Sequence, residues 1–92
     1  MAGPTHPEDN QSYFYDFVEI LEKNFPYASY ALVVEEIAFA RDVGPIAAGL
    51  RWNDDGFYEM IVPIGYGRKA VIELEPDEHG SLQPAMGRFL KD

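Results

Sequence analysis

Gly44-Pro45 divides this chain into two halves with different hydrophobic periods. Before the pair, apolar residues recur every three or four positions. After it, they alternate. Glycine leaves the helical region readily and proline cannot continue a helix, so the pair ends whatever precedes it. A chain that switches once from the helical to the strand period must pack helices against a sheet to bury both apolar sides.

The helical half contains two segments. Residues 10–25, NQSYFYDFVEILEKNF, place Phe14, Phe17, Val18, Leu21 and Phe25 on one helical face. Asp9 or Asn10 is the expected cap, because a short side-chain oxygen there can accept from free backbone N–H groups. Pro26 ends the helix, since the residue before proline is pushed out of the α region. Residues 29–43, SYALVVEEIAFARDV, predict a second helix through Tyr30, Val33, Val34, Ile37 and Ala38, with Ser29 as the expected cap. Val33-Val34 favours a strand locally. Against that, Glu35-Glu36 would put a charge on each face of a strand. Leu32 and Phe39 are apolar but lie off the main stripe. Either this helix is buried on most sides, or part of it meets a partner.

The second half reads as a meander. IAAGLRW, residues 46–52, is the first expected strand, followed by the hairpin signal Asn53-Asp54-Asp55-Gly56. FYEMIVPI, residues 57–64, is the second, with Phe57, Glu59 and Ile61 opposite Tyr58, Met60 and Val62. Pro63 cannot donate to a ladder, so the end of this strand belongs at an edge or a bulge. Gly65-Tyr66-Gly67 forms a turn, RKAVIELE (68–75) a third strand, Pro76 its end, and DEHG another turn. Ser81-Leu82-Gln83 as a short fourth strand and Pro84–Leu90 as a helical turn remain alternatives. The expected fold is therefore α+β in two layers: two N-terminal helices packed on a three- or four-stranded antiparallel meander. Residues 10–92 form a single domain after a flexible tail over residues 1–9.

The stretch IGYGRKAVIELEPDEHG, residues 64–80, carries two weak motifs. Its glycines would suit a phosphate loop only if a helix followed them. A period-two segment with Val71 and Ile72 follows instead. Its acids and His79 lack the ordered oxygen ligands of a calcium loop, and the other histidine, His6, lies in the tail. Glu73 and Glu75 share a strand face opposite Ile72 and Leu74, which reads as a solvated edge. Ser12, Ser29 and Ser81 sit in no nucleophile elbow, and there are no cysteines. The expectation is a non-enzymatic chain with no cofactor and no metal.

Charge then directs the functional reading. Sixteen acids oppose seven bases for a net charge of -9. Phosphate-rich nucleic acid and anionic membrane are disfavoured as direct ligands. The first 46 residues hold eight of the acids and two of the bases, so a basic partner should prefer that half. Six tyrosines and Trp52 exceed what so small a core hides, and such rings are enriched at interfaces. The expected role is a small acidic binding protein that inhibits or neutralises a basic protein, a nucleic-acid-binding protein being one such target. A phage-type anti-CRISPR or anti-restriction inhibitor, acting as a nucleic-acid mimic, has this character. An immunity or antitoxin protein, or a homodimeric structural subunit, is the alternative. The residues expected to meet the partner are Tyr15, Asp16, Glu19, Glu22, Glu35, Glu36, Asp54, Asp55, Glu73 and Glu75. The absence of cysteines, and of a basic or apolar leader in Met1–Pro7, leads to the expectation of a cytoplasmic setting.

Overall fold

The computed structural model describes residues 11–90. The tail expected over residues 1–9, and the caps expected at Asp9 and Asn10, lie outside them. In chain order the elements are β1 (Ser12–Tyr13), α1 (Phe14–Asn24), α2 (Tyr27–Val43), β2 (Arg51–Trp52), β3 (Tyr58–Gly65), β4 (Arg68–Pro76) and β5 (Leu82–Leu90). The strands form one antiparallel sheet in the order β1-β5-β4-β3-β2. Both helices lie on one sheet face, making the expected two-layer α+β fold with five strands where three or four were expected. No helix among the described residues is long and apolar enough to cross a membrane.

The core is the meeting of the two hydrophobic periods. Phe17 and Leu21 from α1, and Val33, Ile37 and Ala40 from α2, pack on Met60, Val62, Ile64, Ala70, Ile72, Leu74 and Leu82. The predicted stripe of α1 is borne out: Phe14, Val18 and Phe25 pack at the margin of this cluster. Its start is corrected. The helix begins at Phe14, because Ser12 and Tyr13 pair instead with Gly87 and Met86 of β5. Extended backbone there gains ladder bonds that a first helical turn, with its free N–H groups, would lack.

The second helix forms as predicted but starts two residues earlier, with Pro26 in the N-cap position. Ser29 is not the cap. It sits inside the helix, buried, and its hydroxyl donates to the Ile64 carbonyl of β3. The strand expected over residues 46–52 shrinks to Arg51–Trp52. Residues 45–49 turn on themselves instead, with Ala48 N–H donating to Gly44 O at 3.0 Å and Leu50 N–H to Pro45 O at 2.9 Å. Of the two alternatives for the C-terminal stretch, the strand is correct and runs unbroken from Leu82 to Leu90.

Two glycines decide how the layers fit. The turn between β3 and β4 places Tyr66 and Gly67 at φ 55° and 70°, the left-handed pair that suits a tight hairpin. Ile64 is an extra residue before that turn, so the register shifts by one between Pro63 and Gly65. Gly87 is the other decisive glycine. A Cβ there would stand 2.5 Å from Phe17 Cγ and under 3 Å from both Cδ atoms of the same ring. The Phe17 ring lies flat on the bare strand and meets Phe89 at 4.6 Å between centroids. Phe89 in turn stacks on Phe25 at 5.6 Å. Gly87→Ala should therefore lift α1 off β5 and destabilise the fold by about 3 kcal/mol. Chemical denaturation of the variant and the parent chain measures this; an unchanged midpoint would refute it.

Candidate functional site

The register set by the bulge places Glu59 directly opposite Glu73 on the sheet face that the helices leave open. Like charges directly across an antiparallel pair repel. Arg51 stands opposite Glu59 on its other side. The open face thus carries a row in which one cation and two anions lie side by side.

Asn53 resolves the repulsion and ties it to the neighbouring turn. Its Oδ1 accepts from the backbone N–H groups of Asp55 and Phe57, each at 3.0 Å. This holds the three-residue hairpin loop that Gly56 closes at φ 90°. With the oxygen so engaged, Nδ2 faces the sheet and donates to Glu59 Oε2 at 3.0 Å and to Glu73 Oε2 at 2.7 Å. The Gln11 side-chain amide donates to Glu73 Oε1. Arg51 and Arg88 stand 3.5 and 3.6 Å from the two oxygens of Glu59. All four carboxylate oxygens therefore have partners. Trp52, Asp54 and Asp55 complete a shallow cleft of about 530 Å³ over the pair.

Glu73 is 2% exposed. This corrects two expectations: it is neither a solvated edge residue nor available to a partner. The physical reason is its place on β4, the central strand of the five, where Glu59, Asn53 and Gln11 close over it. Burial pushes its pKa above the ordinary carboxylate value, and Glu59 and Asp55 push the same way. The Arg88 charge and the Asn53 hydrogen bond pull it down without cancelling the rise.

The other expected residues divide into groups. Tyr15, at 88% exposure, stands with exposed Asp16, Glu19 and Glu22 on α1. Glu35 is exposed on α2, whereas Glu36 is half-buried and borders a second cavity beside Phe39. Asp54 and Asp55 are exposed in the hairpin loop, and Glu75 is exposed on β4. The rings expected outside the core are largely outside: Tyr13, Tyr27, Tyr66 and Trp52 are all exposed, while Tyr30 and Tyr58 pack against the core. The acid-rich turn after β4 is explained by its own backbone. Asp77 Oδ1 accepts from His79 N–H at 2.8 Å and Ser81 N–H at 2.9 Å, and these bonds, that from Ser81 first, hold its pKa below the usual range. Among the described residues no three His, Asp or Glu side chains are placed to hold a metal ion.

The charge distribution is uneven between the layers. The helices carry Asp16, Glu19, Glu22, Glu35, Glu36 and Asp42 against Lys23 and Arg41. Arg41 is exposed at the end of α2 and donates to Leu82 O at 2.7 Å and to Gln83 Oε1 at 2.9 Å. On the open sheet face the strands set Glu59, Glu73 and Glu75 against Arg51, Lys69 and Arg88, and Asp54 and Asp55 add two carboxylates at the rim of the cleft. Negative surface therefore concentrates on the helical layer. The residues that sequence reasoning missed are Asn53, Glu59, Arg88 and Gln11. Asn53 was visible as a turn residue, but its second role depends on a register that the bulge sets. No protein-family profile, curated protein or solved structure matches the chain, so its functional reading rests on its own residues.

Two outcomes follow from the buried pair. A carboxyl that holds its proton more tightly folded than unfolded makes stability fall as pH rises from its unfolded to its folded pKa. For Glu73 that interval begins at about 4.3, the ordinary glutamate value. Denaturation at a series of pH values should show this fall, and Glu73→Gln should flatten it; an identical slope in both proteins would refute the assignment. Asn53→Asp keeps the turn acceptor but replaces the bridging donor with a third carboxylate. It should cost about 3 kcal/mol at neutral pH, and part of the loss should be recovered on acidification.

Proposed function

We propose that this chain is a small acidic binding protein that neutralises a basic, nucleic-acid-binding protein through the outer surface of its helical layer. The observation that supports this best is the separation of charge just described. Exposed Tyr15, Asp16, Glu19, Glu22 and Glu35 occupy the helices, while on the opposite face the strands themselves set three cations against three glutamates. Like charges held together on one layer repel and lower stability unless a cationic surface meets them. A tyrosine among carboxylates adds a rigid ring whose hydroxyl tolerates a wet rim. In this reading the protein acts by occupancy rather than by chemistry. The Glu59–Glu73 pair serves as a clasp between the hairpin loop and the sheet.

Two biological roles use such a surface. An inhibitor that mimics nucleic acid competes with the phosphate backbone for its target; an immunity protein blocks a toxin without such competition. The charge separation bears on both. A cytoplasmic setting is part of the proposal and follows from the target class. Binding to immobilised poly-lysine and to a histone, measured across a salt series, tests the reading. Affinity should fall steeply with salt, because exposed charges are screened beyond about 10 Å at 0.1 M. The double substitution E19K/E22K should weaken binding by about tenfold at low salt. A salt-insensitive interaction, or one indifferent to the double substitution, would overturn the proposal. Added duplex DNA should displace the protein if mimicry is its mode.

A further inference from the structure

β3 is left unpaired along half its outer edge. β2 pairs with it only at Arg51–Glu59 and Trp52–Tyr58, yet β3 continues to Gly65. Just before that pairing, Asn53 N–H donates to Phe57 O at 2.8 Å. In an antiparallel ladder the residues that bond to one neighbour alternate. Phe57 and Glu59 thus turn their backbone groups toward β2, and Ile61 and Pro63 turn theirs the same way. No strand among the described residues meets those last two. Proline has no N–H, so the free edge offers the Ile61 and Pro63 carbonyls but only the Ile61 donor.

A cavity of about 510 Å³ runs beside this edge. Phe39, Ala40, Met60, Leu50 and Ile61 line it, with Glu36 on the α2 wall. Phe39 on α2 and Ile61 on β3 are 50% and 58% exposed. Glu36 makes no ion pair among the described residues, whereas the other charged groups of the lining, Arg51, Glu59 and Arg88, are engaged with one another at 3.5 and 3.6 Å. The free charge of the groove is therefore negative and its backbone is rich in acceptors. Both ask for an occupant that donates hydrogen bonds and carries positive charge.

A second copy of this chain does not meet that demand. A two-fold pairing centred on Ile61 would set Pro63 of each copy against Glu59 of the other, and the outward side of Glu59 already pairs with Arg51. We propose that the partner inserts an extended segment of alternating basic and apolar residues along β3 at Ile61 and Pro63, forming a sixth strand. This rests on the basic-partner reading given above and adds to the helical surface a second contact, at the sheet edge. Side chains of the added strand alternate between faces. Those facing the helices lay an alkyl stem on Phe39 and Met60 and carry their charge to Glu36. Those facing the open side rest on Ile61. Backbone bonds supply affinity and the two rows of side chains supply selectivity, as in other strand additions.

The test uses the full chain, isotope-labelled, with the peptide Lys-Val-Lys-Val-Lys-Val-Lys as probe and Glu-Val-Glu-Val-Glu-Val-Glu as control. At saturation the basic peptide should slow hydrogen exchange at the Ile61 amide by about tenfold, and the acidic peptide should not bind. Glu36→Gln should weaken the basic peptide by about fivefold. Glu36 is half-buried on a helix wall, and circular dichroism checks that the variant stays folded. Binding that leaves the Ile61 amide unprotected while shifting Tyr15 and Glu19 resonances overturns this inference but leaves the basic-partner reading standing. If neither the basic peptide nor poly-lysine binds at low salt, both fall.

Discussion

One extra residue, Ile64, sets which side chains of β3 and β4 share a face. A two-residue turn at Tyr66-Gly67 pairs Gly65 with Arg68. Continued without interruption, that register would place Met60 opposite Glu73 and Ile61 opposite Ile72. The apolar sides of the two strands would then point to opposite faces, because a one-residue slip turns every side chain over. The bulge restores the match, bringing Met60 to Ile72 and Val62 to Ala70. The core under the helices exists only in this register. The same shift brings Glu59 to Glu73, so the buried carboxylate pair is the other face of the same constraint.

That pair shows how the chain handles a conflict it cannot avoid. Two glutamates in register repel, and burying one deprives it of water. Removing the conflict would require an apolar residue at either site. The chain instead surrounds the pair with two donating amides and two guanidinium groups, drawn from β2, β5, the hairpin loop and the segment before β1. Each partner thereby becomes tied to the same point. Asn53 links the loop to the sheet, Gln11 links the N-terminal strand to β4, and Arg88 links β5 to β3. A network of this kind favours one register over its neighbours, since any slip leaves a buried carboxylate without its donors.

Much of the architecture was legible in the sequence because hydrophobic period is a local signal. The α1 stripe from Phe14 to Phe25, the presence of α2 and its end at Val43, the alternation in β3 and β4, and the turns at Gly56 and Gly67 all follow from residues within one or two turns of each other. What was not legible depends on partners far away in the chain. Ser12 and Tyr13 read as helical until β5 offers them a ladder. Ser29 reads as a cap until the Ile64 carbonyl comes within reach of its hydroxyl. Residues 46–52 carry a strand composition, but Gly44 and Pro45 fold the backbone back on itself before the strand can begin. Glu73 reads as solvent-facing because alternation reports the face of a sheet and not how deeply that face is covered. The acids and tyrosine of α1 read correctly as surface residues for the opposite reason: nothing distant among the described residues covers them.

The free edge of β3 carries two opposed demands. Unpaired edges invite uncontrolled strand addition, and natural sheets blunt them with proline, bulges or charge. Here Pro63 removes one donor, the bulge bends the strand just beyond it, and Glu36 places a carboxylate alongside. These devices do not close the edge to everything. In the proposed binding mode they disfavour acidic strands, including further copies of this chain, and they leave the Ile61 N–H and C=O accessible. An edge meant only to be silent would not need Phe39 and Ile61 exposed on either side of it, since apolar flanks raise the hazard that Pro63 lowers. Protection against its own kind, combined with an apolar groove left open, is the arrangement expected of an edge that discriminates between partners by charge.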